Sequence, residues 1–319
     1  MKTVILDGYT ANPGDLSWDF LNEFGEYTVY DYTAPEDIVE RAKDCDILIV
    51  NKVVITAEIM GKLPNLKLIA LLSTGFNVID IAWAKEHNIL VANVPSYSST
   101  AVAQLVFAFI LEHTNKVALH SQAVKDGEWS SCRDFCFWKA PLMELAGKTM
   151  GIIGYGQIGH ETAGIAKAFH MNVIAYSRSA KIGESDDGVS FVSLDDIAKE
   201  SDFISLHCPL NAQTEKMINK DFLNKCKENA FIVNTSRGPV IDDDALAQAL
   251  KEGKIAGAGV DVLTCEPPEE NNPLIKSEKC LNTPHIAWAG YETRQRLLGI
   301  LRDNIKAFLD GKPQNIVNR

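Results

Sequence analysis

The chain has 319 residues, of which 46% are hydrophobic and 23% are charged, a balance typical of a folded protein with two domains. Asp and Glu number 42 against 31 Lys and Arg, and the formal charge of −11 disfavours a protein that tracks nucleic-acid phosphates. Seven cysteines without a CxxC pair indicate reduced thiols and no metal site. The apolar run at residues 101–111 is much shorter than the roughly 20 residues of a membrane span. We therefore expect a cytoplasmic protein with neither a nucleic-acid nor a membrane partner.

The first hundred residues alternate apolar segments with amphipathic ones. Strands are predicted at residues 4–6, 47–51, 66–72 and 89–94, because these runs are rich in Ile, Leu and Val with little alternation. Helices are predicted between them, one beginning near Pro35 and one capped by Thr56. This alternation predicts a doubly wound α/β domain.

A second α/β series follows a long helical segment. One helix is predicted from about residue 98 to 126, and a loop rich in aromatic residues and cysteine spans 127–141. Further strands are predicted at 150–154, 172–177, 203–208, 231–236 and 258–263, and a last helix begins at about 291. The chain thus contains two α/β units.

A glycine-rich turn lies between the strand at 150–154 and the next predicted helix. Gly154, Gly156 and Gly159 form the pattern G-x-G-x-x-G in the strand–turn–helix context that binds a dinucleotide. The first glycine permits the turn, the second lets backbone approach a pyrophosphate, and the third lets the helix pack against the sheet. The N–H groups at the start of the helix attract the anion.

The residues after the following strand predict which dinucleotide binds. NAD enzymes place an acid about 20 residues beyond the glycines, but Ser177 and Arg178 occupy this position. A hydroxyl and a guanidinium can bind a 2′-phosphate that a carboxylate would repel. We therefore predict NAD(P) with NADP(H) favoured. The alternative is that Arg178 is an exposed cation and that NAD binds through other contacts.

Polar residues also follow three later strands. Arg237 lies in NTSRGPVID, Asp261 and Glu266 in GVDVLTCEPP, and His285 in NTPHIAW. The carboxyl edge of a parallel sheet is where ligands bind, so these side chains can converge. Arg237 can hold a carboxylate with two hydrogen bonds, and His285 can exchange a proton near neutral pH. The alternatives are a structural ion pair for Arg237, a solvated loop acid for Glu266 and a backbone-bonded loop histidine for His285.

Together these motifs resemble the D-isomer-specific 2-hydroxyacid dehydrogenases over essentially the whole chain. The resemblance rests on STGFNVID, GKTMGIIGYGQIG, HCPLNAQT, NTSRGPVID, GVDVLTCEPP and TPHIAW. The segments SYSSTAVAQ, GEWSSCRDFCFW and HIAWAGYETRQRL are most similar to the glycerate dehydrogenase, or hydroxypyruvate reductase, branch.

The resemblance implies a Rossmann NAD(P)-binding domain inserted into a flavodoxin-like substrate domain. The substrate domain would comprise residues 1–97 and 291–319, and the cofactor domain, with a dimerisation arm, residues 98–290. A homodimer and closure of the domains over the cofactor are expected on the same basis. The aromatic loop would then belong to the arm, although Trp129, Phe135, Phe137 and Trp138 are also compatible with a core.

The implied activity is reduction of a small 2-keto acid to the D-2-hydroxy acid, with hydroxypyruvate or glyoxylate favoured. Arg237 would hold the substrate, His285 would be the general acid with Glu266 as its partner, and Asp261 would contact the nicotinamide. The predicted cofactor residues are Gly154, Gly156, Gln157, Ile158, Gly159, Ser177, Arg178, His207, Cys208, Pro209, Thr235, Ser236, Arg237, Asp261, His285 and Ala287. The predicted substrate residues are Asn51, Lys52, Ser73, Thr74, Gly75, Arg237, His285 and Trp288.

Two other interpretations stay open. The first is another enzyme of the family, such as a D-lactate or phosphoglycerate dehydrogenase or an oxidiser of formate or phosphite. The second is a cofactor-sensing binding protein of the corepressor kind, which would bind peptides and turn over no 2-keto acid.

Overall fold

The computed structural model describes residues 1–319. The chain divides into two compact units, one formed by Met1–Tyr97 with Ala289–Arg319 and the other by Ser98–Trp288. The first unit is therefore discontinuous in sequence and the second is continuous. The chain re-enters the first unit at Ala289, two residues before the predicted position.

Thirteen strands and ten α-helices alternate along the chain. The strands are β1 (Lys2–Ile5), β2 (Glu26–Val29), β3 (Ile47–Val50), β4 (Leu68–Leu71), β5 (Leu90–Ala92), β6 (Thr149–Ile153), β7 (Asn172–Tyr176), β8 (Ser185–Asp186), β9 (Val189–Phe191), β10 (Phe203–Leu206), β11 (Phe231–Asn234), β12 (Gly257–Val260) and β13 (Cys280–Asn282). The helices are α1 (Ile38–Ala42), α2 (Ala57–Met60), α3 (Ile81–Glu86), α4 (Ser99–Asn115), α5 (Val117–Lys125), α6 (Gln157–Ala168), α7 (Leu194–Glu200), α8 (Lys220–Leu223), α9 (Asp243–Glu252) and α10 (Tyr291–Leu309). Short 3₁₀ turns lie at Asp19–Glu23, Pro35–Asp37 and Gly238–Val240.

The sheet of the first unit has five parallel strands in the order β2-β1-β3-β4-β5, which is the flavodoxin-like order. Every residue of β3 and β4 is buried, as their uninterrupted apolar sequence requires in a sheet covered on both faces. The C-terminal helix α10 packs against β4, and Asn304 donates from Nδ2 to the carbonyl of Asn93 at 2.8 Å.

The sheet of the second unit has eight strands in the order β13-β12-β11-β10-β6-β7-β9-β8. All neighbouring strands are parallel except β8, which pairs antiparallel with β9. The six strands β9-β7-β6-β10-β11-β12 follow the Rossmann order 3-2-1-4-5-6, and β13 extends the sheet by one strand beyond β12. The strand order reverses between β6 and β10, which is where such a sheet binds its ligand.

The structure corrects the predicted elements in two ways. The prediction of one helix from 98 to 126 was wrong, because Lys116 adopts a left-handed conformation (φ 50°, ψ 44°) that separates α4 from α5. Strands β2, β8 and β9 were also missed, and β13, the strand expected before His285, was given no bounds. They are short, and β2, β8 and β13 lie at sheet edges, where no continuous apolar run is needed. None of the helices combines the length and apolar character required to cross a bilayer.

Candidate active site

The glycine-rich turn joins β6 to α6, and two of its three glycines have no room for a side chain. Gly154 has φ +98°, and a Cβ there would lie 2.7 Å from the amide nitrogen of Cys208. At Gly159 a Cβ would approach the carbonyl oxygen of Gly154 to 2.5 Å, which explains the close packing of helix and strand. By contrast, a Cβ at Gly156 would meet nothing within 4 Å, and no side chain caps the helix that begins after it. The open space and the uncapped N–H groups at Gln157 and Ile158 fit the phosphates of a dinucleotide.

The segment after β7 presents hydroxyl groups and a cation. Ser177 Oγ lies 3.1 Å from Ser179 Oγ. Arg178 is exposed, and its Nη1 donates to Oε1 of Gln213 at 3.1 Å. Ser179 and Gln213 were not among the predicted site residues, because neither belongs to a recognisable motif.

His207 follows β10 and links this strand to the phosphate-binding helix. Its Nε2 lies 2.9 Å from Ser205 Oγ and 3.1 Å from Thr162 Oγ1, and Thr162 is on α6. Burial lowers the pKa of His207 to about 3, so the ring is neutral. The next residue, Cys208, is buried as well, and the carbonyl of Pro209 accepts a hydrogen bond from Thr214 Oγ1 at 2.6 Å.

Arg237 lies in a loop that a buried asparagine organises. Asn234 Oδ1 accepts from the amide (3.0 Å) and the hydroxyl (2.8 Å) of Ser236, and its Nδ2 donates to the carbonyl of Arg237 at 3.0 Å. Thr235 between them is buried. Arg237 itself is exposed, its Nη1 donates to the carbonyl of Ser236 at 2.7 Å, and it joins none of the ion pairs. The structure therefore gives no support to a structural ion pair, and its guanidinium is available to an anion.

A carboxylate and an imidazole meet beyond β12 and β13. Nδ1 of His285 lies 2.6 Å from Oε2 of Glu266, whose Oε1 accepts from the amide of Leu263 at 3.1 Å. His285 has φ 55°, a left-handed conformation that residues with a side chain rarely adopt. The carboxylate orients the ring through Nδ1, so Nε2 is left for proton exchange.

Asp261 lies beneath the loop that carries His285 and is 2% exposed. Its Oδ1 accepts from Thr283 Oγ1 at 2.6 Å and from the amide of Ile286 at 2.8 Å, and Oδ2 accepts from the amide of Ala287 at 2.9 Å. Burial raises the pKa of Asp261, and these hydrogen bonds oppose that shift without cancelling it. Trp288, the last residue of this unit, is half-buried.

The predicted substrate residues of the first unit lie at the carboxyl ends of β3 and β4. The amides of Asn51 and Lys52 donate to the Asp7 carboxylate at 2.8 and 2.6 Å. In the next loop, Ser73 Oγ donates to the carbonyl of Gly75 and Thr74 Oγ1 to the carbonyl of Val94, both at 2.7 Å. Asp7 was not predicted as a site residue, and its only sequence signal is an acid at the end of the first strand.

Neighbouring strands β11, β12 and β13 thus place Arg237, Glu266 and His285 beyond the carboxyl edge of one sheet. No group of three or more His, Cys, Asp or Glu side chains could hold a metal ion. A Rossmann sheet with an uncapped glycine turn and a His–Glu pair defines a dinucleotide-dependent oxidoreductase. The family description D-isomer specific 2-hydroxyacid dehydrogenase, NAD binding domain, matches residues 107–287, and the chain belongs to this family.

Similarity to individual proteins extends over the whole chain. The hydroxypyruvate reductase of Blautia hydrogenotrophica is 45% identical over 100% of both chains. The glycerate dehydrogenase of Methylorubrum extorquens is 38% identical over 99% of this chain and 98% of its own. A solved acyclic imino acid reductase in complex with NADPH and D-Arg has a TM-score of 0.87 at 34% identity, covering 99% of this chain and 100% of its own. The family and the fold class predicted from the sequence are confirmed.

Proposed function

We propose that the protein reduces a small 2-keto acid to the D-2-hydroxy acid, with hydroxypyruvate favoured and glyoxylate next. The observation that carries this proposal is the 2.6 Å contact between His285 and Glu266, on the sheet edge that also presents Arg237. The names of the similar proteins, hydroxypyruvate reductase and glycerate dehydrogenase, support the substrate class.

The reaction requires one hydride and one proton. A dihydronicotinamide held at the glycine-rich turn would supply the hydride to the carbonyl carbon and would be oxidised as the keto acid is reduced. Arg237 would bind the substrate carboxylate through bidentate hydrogen bonds and polarise the adjacent carbonyl. As the π bond opens toward oxygen, Nε2 of His285 would deliver the proton that completes the hydroxyl. Glu266 stabilises the imidazolium that precedes this transfer.

The cofactor is proposed to be NAD(P)H with NADPH favoured. Ser177 and Ser179 offer hydroxyl groups, and the guanidinium of Arg178 donates to Gln213 in the structure. Hydrogen bonds from hydroxyls and a guanidinium suit a 2′-phosphate. His207 and Asp261 are proposed to line the cofactor site as well.

The first unit is proposed to contact the substrate through Asn51, Lys52 and the loop Ser73, Thr74 and Gly75. The Asp7 carboxylate supports this proposal, since it fixes the backbone at residues 51 and 52.

A homodimer is proposed from the arm, where Phe135 is 88% and Trp138 is 68% exposed. The molar mass measured by light scattering after size-exclusion chromatography tests the dimer. Phe135→Ser is expected to weaken the dimer.

Turnover measurements test the proposed reaction. Oxidation of NADPH and NADH is followed with hydroxypyruvate, glyoxylate, pyruvate, bulkier 2-keto acids and an imino acid. We expect the highest kcat/KM with hydroxypyruvate and NADPH. Turnover of a bulkier acid without turnover of hydroxypyruvate would refute the substrate assignment. Peptide binding with no turnover of any acid would instead favour the corepressor-like function.

A variant separates chemistry from cofactor binding. His285→Ala is expected to lower kcat by at least about 100-fold, because general acid catalysis is lost, while the Kd for NADPH stays close to that of the parent. His87→Ala is the matched control, since His87 is an exposed histidine of the first unit. A near-normal kcat for His285→Ala would refute the proton-transfer assignment.

A further inference from the structure

We infer that Asp261 is a positioning residue that holds His285 in place for proton transfer. This inference rests on the proposed function, in which His285 is the general acid, and it adds a role distinct from contact with the nicotinamide.

The Asp261 carboxylate accepts hydrogen bonds from loop residues on both sides of His285. Thr283, two residues before the histidine, donates to Oδ1 from its hydroxyl at 2.6 Å. Ile286 and Ala287, which follow the histidine, donate from their amides to Oδ1 and Oδ2 at 2.8 and 2.9 Å. Three donors on one carboxylate fix the path of the backbone through residue 285.

The backbone of Asp261 adds a fourth restraint at His285 itself. The amide of His285 donates to the carbonyl of Asp261 at 2.8 Å. His285 needs such restraints because its φ of 55° lies in the left-handed region, which is unfavourable for a residue with a Cβ. A strained conformation persists only where its surroundings determine it. The hydrogen bonds to Asp261 are therefore what keeps the ring within reach of Glu266.

The same residue also joins the histidine loop to the arginine loop. The amide of Asp261 donates to the carbonyl of Asn234 at 2.9 Å. Asn234 in turn holds the carbonyl of Arg237 through its Nδ2 at 3.0 Å. Asp261 is thus connected by hydrogen bonds to the loops of both His285 and Arg237. A displacement of Asp261 would therefore displace both loops.

An amide cannot replace this carboxylate. All three groups that face the side chain donate, and an ionised Asp accepts at both oxygens. In an asparagine the NH₂ group would face at least one N–H or O–H donor, which would lose its partner in a buried place. Asp261→Asn keeps the size of the side chain and so tests hydrogen bonding alone.

The test compares Asp261→Asn with Asp202→Asn in the full-length protein. Asp202 is a matched control: it is also buried, and it accepts from the amide of Thr149 at 2.8 Å, but it precedes β10 at the amino edge of the sheet. We expect Asp261→Asn to lower kcat on the order of 100-fold, as a small displacement of a reacting group does. The pH–rate profile should also change, while the Kd for NADPH should rise far less than kcat falls, although Asp261 also lines the proposed cofactor site. Asp202→Asn should leave kcat and the pH profile unchanged.

Thr283 provides a second variant that keeps the carboxylate. Thr283→Val removes one of the three donors and is expected to lower kcat by less than Asp261→Asn, and Thr283→Ser should restore kcat. If Asp261→Asn does not fold, the two Thr283 variants test the inference in its place. An unchanged kcat and pH profile for Thr283→Val would then overturn it.

The remaining outcomes separate the inference from the proposed function. A retained kcat for Asp261→Asn, with His285→Ala inactive, overturns the positioning role alone. A rise in the Kd for NADPH that matches the loss of turnover overturns it in favour of a direct cofactor contact. A retained kcat for His285→Ala overturns the proposed proton donor, and the positioning role with it.

Discussion

His285 and Glu266 are 19 residues apart in the chain, yet Nδ1 of the histidine lies 2.6 Å from Oε2 of the glutamate. The loops after two adjacent parallel strands, β12 and β13, bring them together. The pair leaves Nε2 as the ring atom that can exchange a proton with a substrate.

Replacing the carboxylate of this pair is expected to change the pH dependence of reduction. In Glu266→Gln a neutral amide faces Nδ1 of His285 in place of the carboxylate, so the ring loses the opposite charge that stabilises it when it carries a proton. The pH–rate profile should change, and kcat at neutral pH should fall. Glu270→Gln, an exposed residue of the same loop, is the control. An unshifted profile for Glu266→Gln would show that the two groups are not coupled in catalysis.

Arg237→Lys is expected to weaken substrate use strongly. An ammonium group cannot reproduce the planar, two-pronged contact of a guanidinium with a carboxylate. We expect KM for hydroxypyruvate to rise at least about tenfold, since charge-assisted hydrogen bonds of this kind are worth more than 1 kcal/mol. Steady-state kinetics measure the change, with exposed Arg302→Lys on α10 as the control. Unchanged KM and kcat would remove Arg237 from the substrate site.

The contact between Arg178 and Gln213 should affect coenzyme preference. Gln213→Ala releases the guanidinium that it holds at 3.1 Å. The Kd for NADPH should rise by roughly threefold to tenfold, the range expected for one hydrogen bond, whereas the Kd for NADH should hardly change. Arg178→Ala should have the larger effect in the same direction. Fluorescence titration measures both constants, and equal losses for the two coenzymes would argue against a 2′-phosphate site here.

His113 should make the fold less stable in acid. Its ring stacks on Phe231 at a centroid distance of 4.2 Å. Burial, followed by the charge of Lys116, lowers the pKa of His113 from 6.5 to about 4. Between these values the unfolded chain binds more protons than the folded one, so the free energy of unfolding falls as the pH drops from 6.5 toward 4. His113 contributes no further change below that range.

Denaturant titrations between pH 7.5 and 4 test this prediction. His113→Gln should reduce the slope of the free energy of unfolding against pH, since the buried imidazole is gone. The exposed His87→Gln variant is the control. His207, whose pKa burial lowers to about 3, adds to the slope over the same window and remains in both variants. A slope identical to that of the parent would contradict the role given to His113.

Much of the fold could be predicted because parallel strands covered on both faces need uninterrupted apolar runs. Strands β3 and β4 are buried throughout and were recognised by that pattern. The edge strands β2, β8 and β13 lack it, and they form because neighbouring backbone is already in place. The break at Lys116 was hidden for a related reason: a single left-handed residue leaves the composition of the helical segment unchanged.

For the candidate site, the sequence alone determined which residues follow the strands, and hence that Arg237, Asp261, Glu266 and His285 belong to one sheet edge. That inference needs only strand recognition and the polarity of a parallel sheet. The family resemblance implied Glu266 as the partner of His285, but only the tertiary structure gives the contact between them and the anchoring of the His285 loop by Asp261. Such hydrogen bonds depend on the register of neighbouring strands and on the backbone path between them, which no local pattern of residues encodes.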